Sequence, residues 1–236
     1  MNFTEQTEFL TTQPKSSQCG LRTRSVVAGM ITVCLSATGA LAQELTLSYG
    51  VDVTSNYISK GSTQTEDHPA VQPYVEAAYG LFYGGLWASN VKFGGASDME
   101  YDVYAGITPS WQNVDFDMGF ARYFYRDDNT NYGEAYIKAD WAVSDRVTLG
   151  LDYYREVYAD QNWVYLGAEL AALPWDLTLS GGAGTDLGSR DDLSSDKYAM
   201  DIGLSRDLGD NISADLRVYG GNFDDELVVF TVSLFN

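Results

Sequence analysis

The sequence predicts an all-β protein, a transmembrane antiparallel up-and-down β-barrel of about 12 strands. Three observations lead there: apolar residues at every second position, a secretory leader, and aromatics near predicted strand ends. Leu45, Leu47, Tyr49, Val51 and Val53 alternate with Thr46, Ser48, Gly50, Asp52 and Thr54. The pattern returns at Val147, Leu149, Leu151, Tyr153 and at Ile212, Ala214, Leu216, Val218. Strand side chains point to opposite faces with period two, so each segment has one apolar and one polar face. Segments of about ten such residues, separated by turns, mark barrels that cross a membrane. A soluble sandwich would hide the same rows in a core, and the start of the chain argues against it.

Residues 1–42 read as a signal peptide. Arg22 and Arg24 precede an apolar run from Val26 to Leu35, and small residues follow up to Ala40-Leu41-Ala42. A charged region, a short apolar run and an Ala-x-Ala site define such a leader, with cleavage after Ala42. The competing reading is a membrane anchor, but the run is short and interrupted by polar residues. Cys34 resembles a lipoprotein acceptor, yet Val33 stands where a small residue is expected. Both cysteines, Cys19 and Cys34, lie in this leader, so residues 43–236 form a barrel domain without thiol chemistry. No stretch of that domain is long and apolar enough for a spanning helix. A membrane position then requires closure, because lipid satisfies no backbone hydrogen bonds.

The domain is strongly acidic. The whole chain holds 14 Lys and Arg against 33 Asp and Glu. Removing the leader leaves a net charge near −20. Nucleic acid is excluded as a partner, since binding it requires a basic surface. Small solutes, cations, outer-membrane lipid and lipopolysaccharide are the partners this balance fits.

The predicted strands run at 45–58, 70–79, 82–93, 99–110, 114–125, 132–142, 147–158, 162–172, 177–185, 197–206, 212–220 and 226–235. A count of ten is also compatible. Connections at 80–81, 111–113, 143–146, 173–176 and 207–211 are short and carry turn residues such as Ser144-Asp145-Arg146 and Gly209-Asp210-Asn211. Those at 59–69, 94–98, 127–131, 186–196 and 221–225 are longer. Short turns at one end and longer loops at the other is the asymmetry of an outer-membrane barrel, and an even count puts both termini on the periplasmic side. The short 159–161 connection fits this poorly. In the fifth strand Phe116, Met118 and Phe120 share one face and Tyr123 and Tyr125 the other, which predicts a β-bulge near Ala121. Pro69 and Pro73 open the second strand, where a missing donor costs least. Tyr57, Trp111, Tyr132, Trp141, Tyr158, Trp163 and Trp175 lie near strand ends, as boundary-seeking aromatics do.

Asn56-Tyr57-Ile58-Ser59-Lys60-Gly61-Ser62-Thr63-Gln64-Thr65 and Pro69-Ala70-Val71-Gln72 occur with three further segments. These are Gly85-Leu86-Trp87-Ala88-Ser89-Asn90-Val91, Tyr101-Asp102-Val103-Tyr104-Ala105-Gly106 and Asn131-Tyr132-Gly133-Glu134-Ala135-Tyr136. In these the chain resembles the TorF-like porins, a bacterial outer-membrane β-barrel family of unknown function. The resemblance covers the whole domain and implies a Gram-negative outer-membrane location. It supplies no functional residues. Such barrels end on an aromatic read by the outer-membrane assembly machinery. Here Phe235 is penultimate, and Asn236 takes the outward position.

With the apolar rows facing lipid, the other face lines a lumen. Asp52, Glu76, Asp102, Tyr104, Glu134, Asp140 and Asp152 are predicted there, with Lys138, Arg155 and Arg217 as a basic minority. Glu156, Arg206, Tyr136, Tyr154 and Tyr219 are expected beside them. Fixed negative charge behind low-dielectric walls attracts cations. The expectation is therefore a narrow, cation-preferring porin for small solutes. The alternatives are a filled structural or adhesion barrel whose loops contact lipopolysaccharide and, last, a lipid-modifying enzyme. Twelve strands lie between filled eight-stranded barrels and open sixteen-stranded ones. Asp127-Asp128-Asn129 and Asp224-Asp225-Glu226 lack the spacing of a calcium loop, so no metal is expected. His68 is the sole histidine. No Gly-x-Ser-x-Gly elbow or phosphate loop accompanies it, so neither catalysis nor a cofactor is expected.

Overall fold

A computed structural model describes residues 44–126, 128–158, 161–187 and 197–236, without the side chains of 128–131. The leader, Asp127, residues 159–160 and residues 188–196 of the 186–196 loop lie outside the described residues. Twelve long strands form one antiparallel sheet: β1 (Leu45–Thr54), β2 (Ala70–Tyr79), β3 (Phe82–Phe93), β4 (Ala96–Ile107), β5 (Val114–Tyr125) and β6 (Asp128–Ala142), then β7 (Val147–Glu156), β8 (Gln161–Leu173), β9 (Leu177–Asp186), β10 (Tyr198–Gly209), β11 (Ile212–Gly221) and β12 (Leu227–Phe235). Each pairs with its sequence neighbours. Closure comes from β1 and β12, with Gly50 opposite Phe235 and Thr54 opposite Thr231. The sheet is thus a closed 12-stranded barrel. No described helix is long and apolar enough to cross a membrane.

Alternation explains why these segments become walls. Leu166, Ile202 and Val228 are 63%, 56% and 67% exposed, while Trp163, Ala199 and Val229 in the neighbouring inward row are buried. Large apolar side chains are therefore outside, and the interior holds polar and aromatic ones. Water would penalise such an outer surface, and lipid does not. Trp111, Trp141, Trp175 and Tyr158 are exposed, as boundary aromatics are. Tyr57, Tyr132 and Trp163 are not at the boundary: all three are buried inside the barrel.

Three local expectations are corrected. The loop asymmetry is weaker than predicted, because β3 and β4 are joined by the two-residue turn Gly94-Gly95, both at positive φ. The phase change in β5 is no bulge at Ala121. Register holds through Tyr123 opposite Tyr132 and shifts only between Tyr123 and Tyr125. Tyr123 keeps the inward parity, and the interior itself turns aromatic at that level. Pro73 lies inside β2 rather than at its start. It is tolerated because β3 pairs with β2 only from Tyr74 onward. The Asn90 side chain covers that unpaired stretch, accepting from Val71 N–H at 2.8 Å and donating to the Pro69 carbonyl at 3.0 Å.

The C-terminal residue extends the seam. Asn236 N–H donates to the Tyr49 carbonyl at 3.2 Å. Its side-chain oxygen accepts from Tyr49 N–H at 2.7 Å, and its amide nitrogen donates to the Leu47 carbonyl at 3.1 Å. A primary amide has the donor and acceptor of a peptide, so this side chain stands in for the next residue of the ladder.

Candidate functional site in the lumen

The loop between β1 and β2, residues 55–69, does not stand out from the barrel. It folds inward as a small hairpin, Ile58–Ser59 against Ser62–Thr63. Asn56 organises it: its carbonyl oxygen accepts from the hydroxyls of Thr63 at 2.7 Å and Thr65 at 2.9 Å, and its amide donates to Asp67 at 2.8 Å. Lys60 and Gly61 hold the tip at positive φ, 47° and 82°. Tyr57, Ile58, Ser59 and Thr65 are at most 2% exposed. Burying Tyr57 and Ile58 contributes about 1.5–3 kcal/mol each, which offsets ordering the loop.

The tip reaches the far wall. Lys60 Nζ pairs with Glu134 on β6 and lies 5.6 Å from the Tyr154 ring on β7. Gly61 meets Ala199 on β10 so closely that a side chain there would collide. Thr63 N–H donates to Asp224 at 2.8 Å, and Lys197 Nζ donates to Ser62 Oγ at 3.1 Å. On the near side Lys92 N–H donates to the Gln64 carbonyl at 2.8 Å, and Gly95 N–H donates to Glu66 at 2.7 Å. That amide, then the Lys92 ammonium at 3.2 Å, holds the Glu66 carboxyl below its usual range. Burial pushes the Lys197 ammonium down to about 7, opposed by Asp224.

Beside and below this loop the two halves of the wall differ. Inner rows of β3 to β6 carry aromatics that pack with the loop. Tyr57 meets Trp87 edge-on at 5.5 Å, and Tyr125 meets Tyr132 at 5.5 Å. Several inward glycines lie beneath a ring from a neighbouring strand. A Cβ on Gly119 would lie 2.5 Å from Tyr136 Oη, and one on Gly106 2.5 Å from Tyr83 Oη. Those two hydroxyls bond each other at 2.6 Å, and Tyr83 donates to Asp117 at 2.5 Å. Such rings lie along the wall rather than across the lumen. Against β6 to β11 a cavity of about 260 Å³ remains. Asp140, Asp152, Glu169 and Asp201 line it, with Lys60 and Arg217 as its cations and Trp163, Tyr165 and Tyr219 as its aromatics.

The predicted residues divide among these zones. Asp102, Tyr104 and Glu134 are buried in the filled half. Asp52 and Glu76 are half-buried, and Lys138 lies 3.8 Å from Asp117. Asp140, Asp152 and Arg217 border the cavity. Arg217 is tied to Asp201, to Asp215 at 3.2 Å and to Ser180 at 2.7 Å. Arg155 is a correction. Its neighbours Tyr154 and Glu156 are buried, so Arg155 takes the outer parity, and it donates to Asn162 at 3.0 Å. Arg206 is outward as well: it shares the parity of exposed Leu204 and Leu208, while half-buried Ser205 takes the inner one. Tyr136, Tyr154, Glu156 and Tyr219 face inward as expected. The sequence reading missed Lys60, Lys197, Tyr165 and Asp201. A signal existed in Asn56–Thr65, a loop free of carboxylates in an acid-rich chain.

Exposed His68 has Nδ1 2.6 Å from the Glu66 carbonyl and 3.1 Å from that of Thr65, a turn contact. Asp224 serves the loop anchor. No cluster of metal-ligand type is present among the described residues.

A family model described as "Bacterial protein of unknown function (Gcw_chp)" matches residues 38–233. No curated protein matches. Among solved structures the barrel is similar to the KdgM porin in complex with disordered oligogalacturonate. There the TM-score is 0.57 and the identity 12%, covering 80% of this chain and 96% of that one. It is also similar to the NanC porin, with TM-score 0.50 and 11% identity over 78% of this chain and 97% of that one. At such identities the likeness is one of fold.

Proposed function

The chain belongs to this Gcw_chp family of bacterial proteins, and on that premise we propose that it is a narrow, cation-preferring diffusion channel of the Gram-negative outer membrane. The observation that carries the reading is the cavity against β6 to β11. It borders four carboxylates and two cations in a barrel whose outer rows are apolar. Low-dielectric walls concentrate the field of that surplus, raising the local concentration of cations and excluding anions. The likeness in fold to porin barrels is consistent with a wall built around a passage.

On this reading residues 1–42 direct export, and the passage is a crescent between the inserted loop and β6 to β11. Its lining is Asp140, Asp152 and Arg217 from the predicted set, with Asp201, Glu169 and Tyr165. Small hydrophilic cations are the solutes that fit. The test is single-channel recording in a planar bilayer across a salt gradient. Discrete openings with a cation-selective reversal potential are expected, and Asp140→Asn with Asp152→Asn should shift that potential toward zero. An anion-selective potential would refute the assignment.

A second reading is a filled, non-conducting barrel. The complete burial of Ser59 and Thr65 inside the upper lumen favours it. Silent bilayers containing demonstrably inserted protein would decide for it.

A further inference from the structure

Charge on the strands is segregated by sign as well as by face. Every Asp and Glu whose side chain is described within β1 to β12 occupies an inward position. Among the described residues, the charged ones of the outer rows are all basic: Lys92, Arg122, Arg155 and Arg206. Lys92 is engaged with Glu66 of the inserted loop. Arg206 stands at the end that carries the termini. Arg122 and Arg155 stand together near the opposite end, one on β5 and one on β7, with β6 between them.

The surface around these two is built rather than bare. Arg122 opposes Gly133, and Arg155 opposes Ala135, so the strand between them offers only small outward residues. The Arg122 guanidinium lies 5.0 Å from the Tyr158 ring and 5.5 Å from the Phe124 ring, and it donates to Tyr158 Oη. Phe124, Tyr158 and Phe120 are 46%, 51% and 39% exposed. Arg122 is three residues from the end of β5 and Arg155 one from the end of β7. At about 3.3 Å per residue both lie within roughly 10 Å of the rim. Below them the outer face continues as exposed Ile137 and Leu151.

We infer that this patch seats the phosphorylated headgroup of an outer-leaflet lipid, with its acyl chains on the apolar surface below. The inference rests on the reading that the outer rows meet lipid. A guanidinium near the rim keeps its stem in hydrocarbon and turns its planar fork toward headgroup oxygens. It pairs with phosphate through two parallel N–H bonds. An anionic leaflet explains the sign rule too. Outward carboxylates would meet like charge, whereas outward arginines meet their counterion.

The experiment uses the full barrel in zwitterionic detergent and native mass spectrometry, titrating bisphosphorylated lipid A against the same lipid dephosphorylated. Wild-type protein should retain the phosphorylated form at least ten-fold better. Arg122→Gln combined with Arg155→Gln should erase that preference, the double Lys variant, which keeps the charge but not the paired N–H bonds, should keep only part of it, and Arg206→Gln at the other rim should leave it intact. Equal retention of the two lipids by wild type would overturn the proposal without any variant. So would a double Gln variant, folded by circular dichroism, that kept the preference. Both outcomes are distinct from failure of the membrane reading, in which the barrel would stay soluble and folded without detergent.

Discussion

Placing an arginine at Ile202 tests the barrel wall itself. Ile202 is the fifth of the twelve residues of β10, paired with Gly181 and Val218, and is 56% exposed on the outer row. A strand rises about 3.3 Å per residue. At a tilt near 40° this is about 2.5 Å of depth per residue. Ile202 lies one and a half residues from the strand midpoint, hence roughly 4 Å from the centre of an apolar band about 25 Å tall. Arginine at the midplane costs about 2–4 kcal/mol, falling toward zero at the interfaces. Ile202→Arg should therefore destabilise the barrel by about 2–3 kcal/mol, roughly 30- to 150-fold in the folding equilibrium. Ser205→Arg, on the inward row of the same strand, should cost far less, because its charge meets Asp201, Asp207 and the lumen. Reversible unfolding in lipid vesicles, followed by tryptophan fluorescence, measures both. Equal stabilities for Ile202→Arg and wild type would refute the facing of β10. Equal losses for the two variants would refute lipid as the solvent of the outer row.

Three other perturbations address the inserted loop and the ring-covered glycines. Lys60→Ala leaves the Glu134 carboxylate buried without its ammonium, and breaking one side of a buried pair costs about 3–5 kcal/mol. The loop should detach rather than the barrel unfold, so conductance should rise and protease should cut near residue 60, while Lys60→Met with Glu134→Gln should restore protection. Lys197 titrates near 7 in the folded protein and near its ordinary 10.5 when unfolded. Between those values the unfolded chain binds more protons, so stability should rise with pH from about 7 to 10.5, and Lys197→Met should flatten that rise in unfolding titrations. Gly119→Ala should push the Tyr136 ring off the wall, break its bond to Tyr83 and cost about 1–3 kcal/mol in the same unfolding assay; an unchanged stability would show that the ring has room to yield.

How much was legible follows from which forces act locally. The period-two rows located every long strand to within a few residues, because alternation is a local consequence of the pleat and lipid rewards it at each position. The side on which a strand residue lies is legible for the same reason, and Asp140, Asp152 and Arg217 share the inner parity beside the cavity. Arg155 is outward because parity prevails over charge: its charge argues for the lumen, but its spacing from Leu151 and Tyr153 sets it on the outer row. The filled upper lumen was not legible. Nothing in residues 55–69 has a period, and their position depends on Glu134, Ala199 and Asp224, each far away in sequence. Tyr132 and Trp163 were misplaced in consequence. An aromatic near a strand end reads as a boundary residue unless one knows that a loop lies inside to pack against it.

The asymmetry of the lumen follows from the same loop. A barrel wall of near-uniform curvature gives no reason for one half to be filled and the other open. The loop supplies it, because its apolar side, Tyr57 and Ile58, needs partners that exclude water. Trp87, Tyr123 and Tyr132 provide them on β3, β5 and β6, drawing the loop against that half. Its polar tip, Lys60 and Gly61, then bridges to Glu134 and Ala199. What remains against β6 to β11 is bordered by the inward Gly150 and Gly167, too small to close it. Ring-covered glycines elsewhere in the wall, at 106 and 119, keep the tyrosines of the filled half from spreading into that remainder. The width of the open half is therefore set by where the loop tip touches β10. Lengthening the tip, rather than enlarging wall residues, is the change that would narrow it most.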